Sequence, residues 1–365
     1  VLRDMVATLE LSHFVIFPPE AGDALEGAGE GGAPRGSAGP GLEVALVEGV
    51  LAVTRVHPGG PAAKVGVRPG WVLTVVGDQA MDELARAIAE ARGEQEQALY
   101  FPPAAAALLQ GEAGSEVGAT FLDLEGSARV LTLRRVPPEG EVVRFGFLPP
   151  FTVRLEVEEV PSEAGAPIPL VRFNGWFPPV LPPLAQAVDT HRRAPGMILD
   201  LRGNPGGLGG MAMGVAGHFV DEPLSLGEMR TRETTLRFVV APQRVSPAGT
   251  RVAPFAGPLA ILVDARTGST SEIFAAGLQA LGRARVFGET TAGQALPAVV
   301  IPLPNGDRLM HVVADYTAPG ELRLEGRGVI PDQVVPLDLR SLGEGHDPVV
   351  AAARAWLERG GLPPN

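Results

Sequence analysis

The sequence predicts an α/β domain preceded by a small β-rich module, and three observations carry that prediction. From Phe151 onward, apolar strands alternate with helical segments, the pattern of a largely parallel sheet with crossover helices. Between Leu42 and Leu133 the apolar runs are short and separated by turn residues, as at Pro58-Gly59-Gly60-Pro61 and Arg68-Pro69-Gly70. With 365 residues, 45% of them hydrophobic, the chain can fill two cores, or one large core carrying an insertion.

Taken in order, Met5 to Phe17 reads as the end of a helix followed by a short strand, His13-Phe14-Val15-Ile16-Phe17. From Glu20 to Gly41 the chain is Gly, Ala, Pro and Glu with almost no large apolar residue, the composition of a linker or mobile loop. The β-rich module then supplies Glu43–Leu46, Val50–Val53, Trp71–Val76 and Ala128–Leu133 as strands and Met81 to Arg92 as an amphipathic helix. Pro137-Pro138-Glu139-Gly140 closes it. In the second half, Leu184–Arg193, Met211–Phe219 and Ser271–Leu281 are predicted helices, and Met197–Leu201 and Leu259–Val263 are buried-type strands. Asp347 to Glu358 is a terminal amphipathic helix, and no internal repeat is present.

A net charge of −12 and a pI near 5.1 argue against nucleic acid or an anionic membrane surface as main partner, because either needs a basic patch. No apolar run approaches the roughly 18 residues of a membrane span. Val1-Leu2-Arg3-Asp4 does not resemble a signal peptide, and the missing initial Met fits removal of an upstream segment. Cysteine is absent, which excludes disulfides, thiolate metal sites and cysteine nucleophiles. Lys64 is the only lysine.

Leu259–Val263 runs through Asp264-Ala265-Arg266-Thr267-Gly268 into Ser269, just ahead of a helix. A helix N-terminus presents unpaired N–H groups and the positive end of its dipole, which suits a nucleophile whose attack creates an oxyanion. The alternative is that Ser269 or Ser271 only caps the helix, with Glu272 in its first turn. A second strand, Met197–Leu201, leads through Arg202 into Gly203-Asn204-Pro205-Gly206-Gly207-Leu208-Gly209-Gly210. Backbone amides left uncovered by glycine can face an anion, either an oxyanion or a phosphate. The Lys-Ser/Thr ending of a nucleotide loop is missing.

Leu199-Asp200-Leu201-Arg202-Gly203-Asn204-Pro205-Gly206-Gly207, Gly268-Ser269-Thr270-Ser271-Glu272-Ile273 and Phe287-Gly288-Glu289-Thr290-Thr291-Ala292-Gly293 resemble the three core motifs of the S41-type C-terminal processing (tail-specific) serine proteases and their tricorn-core relatives. Glu325-Gly326-Arg327-Gly328-Val329-Ile330-Pro331-Asp332 resembles the family's closing segment. Val56 to Gly70 resembles the PDZ domain that these proteases carry, although Glu94 to Gly118 is longer than the family's usual connection. The resemblance implies a crotonase/ClpP-like α/β core with an inserted β-rich PDZ-like domain. Its divisions are 1–38 as N-terminal core and linker, 39–138 as PDZ-like domain, 139–345 as protease core and 346–365 as C-terminal helix.

In the processing proteases the base is a lysine, and its position falls on Gln294, whose amide cannot take a proton. Lys64 falls in the PDZ segment. The tricorn branch instead uses a histidine preceded by serine, with a distant glutamate completing a tetrad. By that resemblance His13 is the base and Ser12 and Glu325 orient and polarise it. Read without the resemblance, His13 is a strand histidine satisfied by a backbone partner. His57, His191, His218, His311 and His346 show no metal-ligand spacing, and no cofactor is implied.

The oxyanion hole is expected from the Thr270 N–H with Gly206 or Gly207, between which the sequence does not choose. In the PDZ-like segment, Gly41, Leu42, Glu43 and Val44 are the candidate peptide-binding loop and strand; otherwise the module is a scaffold shielding the cleft. The function implied is a serine endopeptidase of the C-terminal processing type that cleaves partly unfolded proteins with an apolar C-terminus, or C-terminal tails. The alternative is an inactive binding protein on the same fold, for a peptide tail or an apolar ligand. The family resemblance points to an extracytoplasmic location, periplasmic or secreted, while the tricorn-like base leaves the cytoplasm open.

Overall fold

The computed structural model of the chain describes Met5, Thr8, Leu9 and residues 11–17, 36–148, 150–163 and 165–361. Residues 20–35 of the expected linker lie outside the described residues, and of the expected N-terminal helix only Met5, Thr8, Leu9, Leu11 and Ser12 are described.

The core is a six-stranded sheet whose spatial order follows the chain: Leu155–Val160, Ile168–Phe173, Met197–Asp200, Leu259–Val263, Ala284–Gly288 and Gln333–Val334. The first pair is antiparallel and every later pair parallel. Both faces are covered, which is why Leu259–Val263 is apolar at every position and fully buried. Met197, Leu199, Leu259, Ile261 and Val286 pack on the side of the helix Thr270–Ala280. Ile198, Ala260, Leu262 and Phe287 point the other way, onto the terminal helix Pro348–Glu358 through Val349, Ala353, Trp356 and Leu357. Asp347 caps that helix by accepting from the Val349 and Val350 N–H groups. Burial on both faces makes the parallel strands the rigid part of the molecule, and the loops at their carboxyl ends are where open α/β sheets place sites.

Residues 38–136 form the β-rich module, closed where Gly39 and Val136 exchange both backbone hydrogen bonds at 2.9 Å. Its strands Leu42–Val47, Val50–Val56, Val72–Val76, Glu116–Leu122 and Ala128–Arg134 lie side by side in chain order. They enclose a separate core around Val53, Leu73, Phe121 and Leu133. The expected helix Met81–Arg92 is present. A second helix, Gln97–Leu109, occupies much of what the sequence offered only as a long connection. Pro102 and Pro103 within it disguise the pattern, since each removes a backbone donor. Burial of Phe101, Ala105 and Leu109 in the module core holds the helix nonetheless.

Among the described residues three smaller sheets complete the fold: Glu141–Val143 pairs antiparallel with Phe151–Val153, and two others serve the site. Val15–Phe17 pairs with Arg308–Val312, which pairs with Ala298–Pro302. Thr235–Val240, Leu224–Arg230, Asp315–Ala318 and Leu322–Arg323 form the other, ending just before Glu325. The N-terminal strand begins at Val15, not at His13: His13 sits in a turn with φ 62°. Among the described residues no helix is long and apolar enough to cross a membrane.

Candidate active site

Ser269 is the last residue of the turn between the strand Leu259–Val263 and the helix Thr270–Ala280, with φ 53° and ψ −119°. A non-glycine residue in that region carries strain of about 1–3 kcal/mol, maintained only where the surroundings over-determine it. Here they do. The Ser269 N–H donates to the Gln294 carbonyl at 2.9 Å and to Glu272 Oε2 at 3.0 Å. Thr267 Oγ1 donates to the Leu201 carbonyl and accepts from the Asp264 N–H, fixing the turn that delivers the serine. Ser271 is not the cap: buried in the first turn, it accepts from the Trp176 indole at 2.8 Å and donates to the Asn204 carbonyl.

The glycine loop lies against this turn. A Cβ on Gly206 would stand 2.6 Å from Ser269 Cβ, and one on Gly207 would stand 2.5 Å from the Trp176 carbonyl, so both positions require glycine. Their amides differ in employment. The Gly206 N–H donates to Asn204 Oδ1 at 3.0 Å, while Asn204 Nδ2 donates to the Phe173 carbonyl. Among the described residues the N–H groups of Gly207 and Thr270 have no partner, and Thr270 Oγ1 donates to the Gly207 carbonyl at 2.9 Å. Two free amides thus flank Ser269. Asn204, fully buried, is a residue that sequence reasoning passed over; its only signal was its place inside the glycine run.

His13 is tied to residues far along the chain. Ser12 Oγ lies 2.7 Å from His13 Nδ1 and donates to Glu325 Oε2 at 3.0 Å, across 313 positions of sequence. Glu325 also accepts from the Ser12 N–H at 2.8 Å and from the Ala295 N–H at 3.1 Å. The serine has one proton, and an acceptor-only carboxylate takes it. Ser12 Oγ therefore accepts from Nδ1–H, which leaves the lone pair of the neutral imidazole on Nε2. Burial pushes the His13 pKa below its usual 6.5, and the Glu325 charge offsets part of that. His13 is thus neutral near pH 7. The histidine satisfied by a backbone partner is not what is seen; its ring partner is a side chain.

Gln294, where the resemblance expected a lysine, contributes its backbone, accepting from Ser269 and donating its N–H to Glu272 Oε2 at 2.9 Å. Glu272 also accepts from the Thr291 hydroxyl at 2.5 Å and the Gly293 N–H at 2.7 Å. Burial raises its pKa despite these donors. Its role in the geometry is to clamp residues 291–294 onto the serine turn.

Ser269, Thr270, His13, Gly206 and Gly207 open on one cleft of about 820 Å³. Among the described residues no group of acidic, histidine or cysteine side chains is arranged to hold a metal ion.

In the module, Gly41 (φ 76°) turns the chain into the strand Leu42–Val47, the outer strand of its sheet, so Leu42, Glu43 and Val44 lie along an edge. The Glu43 side chain faces the core, not that edge. Its carboxylate meets Arg154 at 2.6 Å, His57 at 3.3 Å and Arg172 at 3.4 Å. Burial works against its charge, but the His57 hydrogen bond and these arginines hold its carboxyl far below the usual range. Arg172 continues to buried Asp200 at 3.2 Å, and Asp200 to Arg202 at 2.7 Å, joining the module to the strand that carries the glycine loop.

Residues 175–335 match peptidase family S41. The chain is 27% identical over 225 residues to the carboxyl-terminal-processing protease of Picosynechococcus, covering 60% of this chain and 52% of that one. It is 27% identical over 348 residues to carboxyl-terminal-processing peptidase 2, chloroplastic, of Arabidopsis thaliana, covering 92% and 60% respectively. The chain thus spans little more than half the length of these curated relatives. Among solved structures, the photosystem II D1 C-terminal processing protease aligns at TM-score 0.57 with 25% identity, covering 98% of this chain and 84% of that one.

Proposed function

The chain carries a peptidase family S41 domain in residues 175–335, and on that premise we propose that it is a serine endopeptidase of the C-terminal processing type, with Ser269 as nucleophile and His13 as general base. The observation that carries the reading is the hydrogen-bonded run from His13 Nδ1 through Ser12 to Glu325, opening on the same cleft as Ser269. It leaves Nε2 as the acceptor for the Ser269 proton. Attack of Ser269 Oγ on a peptide carbonyl forms a tetrahedral intermediate whose oxyanion the Gly207 and Thr270 N–H groups receive. The imidazolium, stabilised through Ser12 by Glu325, then gives its proton to the leaving amine, and water repeats the sequence to release the acyl group. Gly206, with its amide occupied by Asn204, shapes the loop instead of donating.

The module is read as a PDZ-like domain inserted at 39–138. Its peptide edge is the backbone of Gly41, Leu42, Glu43 and Val44, which would take an extended C-terminal tail by strand addition. Substrates on this reading are partly unfolded polypeptides. We infer an extracytoplasmic site of action, periplasmic or secreted, with the likeness to the processing proteases as its support.

Gln294 in place of the family's lysine favours a second reading, a non-hydrolytic binder on the same fold. One experiment separates the two. Fluorophosphonate labelling should be abolished by Ser269→Ala, and casein cleavage by both Ser269→Ala and His13→Ala. Full activity in His13→Ala would remove the base assignment, and no labelling of the native chain would favour the binder.

A further inference from the structure

We propose that the cleft selects a large uncharged side chain, aromatic above others, beside the bond that Ser269 attacks, through a ring-lined subsite centred on Phe177. The proposal rests on the serine endopeptidase reading and names the substrate class of that site. Phe177 follows the strand Ile168–Phe173 by a short turn, and its ring reaches the glycine loop: a Cβ on Gly207 would lie 2.8 Å from Phe177 Cε2. The ring is therefore next to an amide assigned to the oxyanion. Phe151 meets Phe177 edge-on at 4.5 Å and 65°, and Phe145 does so at 6.0 Å and 61°. Further along the loop, Phe238 approaches Gly209, where a Cβ would lie 3.5 Å from Cε1. Five of the chain's 14 phenylalanines line this one cleft: Phe177 and Phe238, 6% and 9% exposed, form its packed floor, and Phe145 and Phe147 supply the ring surface open to an incoming side chain.

Two of those rings are costly to the empty protein. Phe145 and Phe147 are 45% and 44% exposed at the cleft wall, in the connection between Glu141–Val143 and Phe151–Val153. That wall is anchored, not loose, since Arg308 donates to the Phe147 carbonyl at 2.8 Å and lies over its ring. Fixed, exposed aromatic surface beside a nucleophile is relieved when an apolar side chain covers it.

Charge decides what is rejected. Among the described residues the cleft lining contains no Asp, Glu, Lys or Arg, and His13 is its only ionisable side chain. A charged side chain entering it would be desolvated without a partner. The same absence leaves no lysine or arginine in the lining to pair with a terminal carboxylate.

The test uses the full chain and internally quenched peptides of one frame, with Phe, Leu, Ala, Glu or Lys flanking the cut, and cleavage sites read by mass spectrometry. Phe is expected to exceed Ala on the order of 10- to 100-fold in kcat/KM, with Glu and Lys below Ala. Phe177→Ala should compress the Phe-to-Ala ratio to within about threefold. Phe145→Ala, at an exposed position, should lower it partway, which keeps the test open if Phe177→Ala does not fold. Fluorophosphonate labelling of Ser269 reports whether each variant's site is assembled. Equal rates for Phe, Ala and Glu, or a preference for charge, would overturn the subsite. Failure of the protease reading looks different: no labelling and no cleavage of any peptide. Fluorescence anisotropy of the same peptides on Ser269→Ala then decides, since tighter binding of the Phe peptide upholds the subsite and equal affinities refute it.

Discussion

Replacing Glu325 by glutamine tests the relay at its far end, where no substrate contact is altered. Nδ1 to Ser12 Oγ is 2.7 Å and Oγ to Glu325 Oε2 is 3.0 Å, so an imidazolium at His13 sits about 5 Å from the carboxylate charge. At an effective dielectric of roughly 20 that attraction is about 3 kcal/mol, present once His13 has taken the proton and absent before. Its loss should lower kcat/KM on the order of 10²-fold at the plateau. The pH profile should move as well, in a direction that separates this mechanism from general damage. The base must be unprotonated, burial lowers its pKa, and Glu325 is the group that raises it. Removing that charge therefore moves the acid limb of kcat/KM to lower pH while the plateau falls. The assay is hydrolysis of a quenched peptide from pH 5 to 9 by both proteins. A plateau within about threefold of the native value, or an acid limb displaced to higher pH, would refute the role assigned to His13 and Glu325.

Gly207→Ala places a Cβ 2.5 Å from the Trp176 carbonyl at φ +147°, displacing an amide that the oxyanion needs; kcat should fall on the order of 10²- to 10³-fold. KM should change far less, and a proportionate rise in KM alone would argue against an oxyanion role. For stability, His218 is held near a pKa of about 4, first by burial and then by the Arg192 charge. A depressed histidine contributes stability above its unfolded pKa of about 6.5 that is lost as pH falls toward about 4, roughly 2 kcal/mol by pH 5. Urea midpoints at pH 7.5 and 5.0 should therefore draw closer together in His218→Gln, and an unchanged gap would place the acid sensitivity in other groups.

Much of the core was readable because its physics is local. Leu259–Val263 is apolar at every position because both sheet faces are covered, and the strand could be placed to the residue. Where a local rule is overridden, reading failed. Pro102 and Pro103 argue against a helix that Phe101, Ala105 and Leu109 nevertheless bury. His13 looks like part of an apolar strand, yet its side chain is captured through Ser12 by Glu325 and its backbone is turned to φ 62°.

The same division runs through the site. Residue order alone determined that a serine follows a buried strand and starts a helix, that glycines crowd a second strand end, and that Lys64 is the only lysine. Those are statements about neighbours in sequence, and backbone sterics and helix-end polarity translate them directly. Which glycine amide is free, which imidazole nitrogen carries the lone pair, and that five phenylalanines share one wall were decided only by tertiary structure. Each depends on a hydrogen bond or contact between segments far apart in the chain: Asn204, which occupies the Gly206 amide, with the Phe173 carbonyl, Ser12 with Glu325 across 313 positions, and Phe145 against Phe177. Such pairings have no local propensity to announce them, because what selects them is burial of groups that must then find partners.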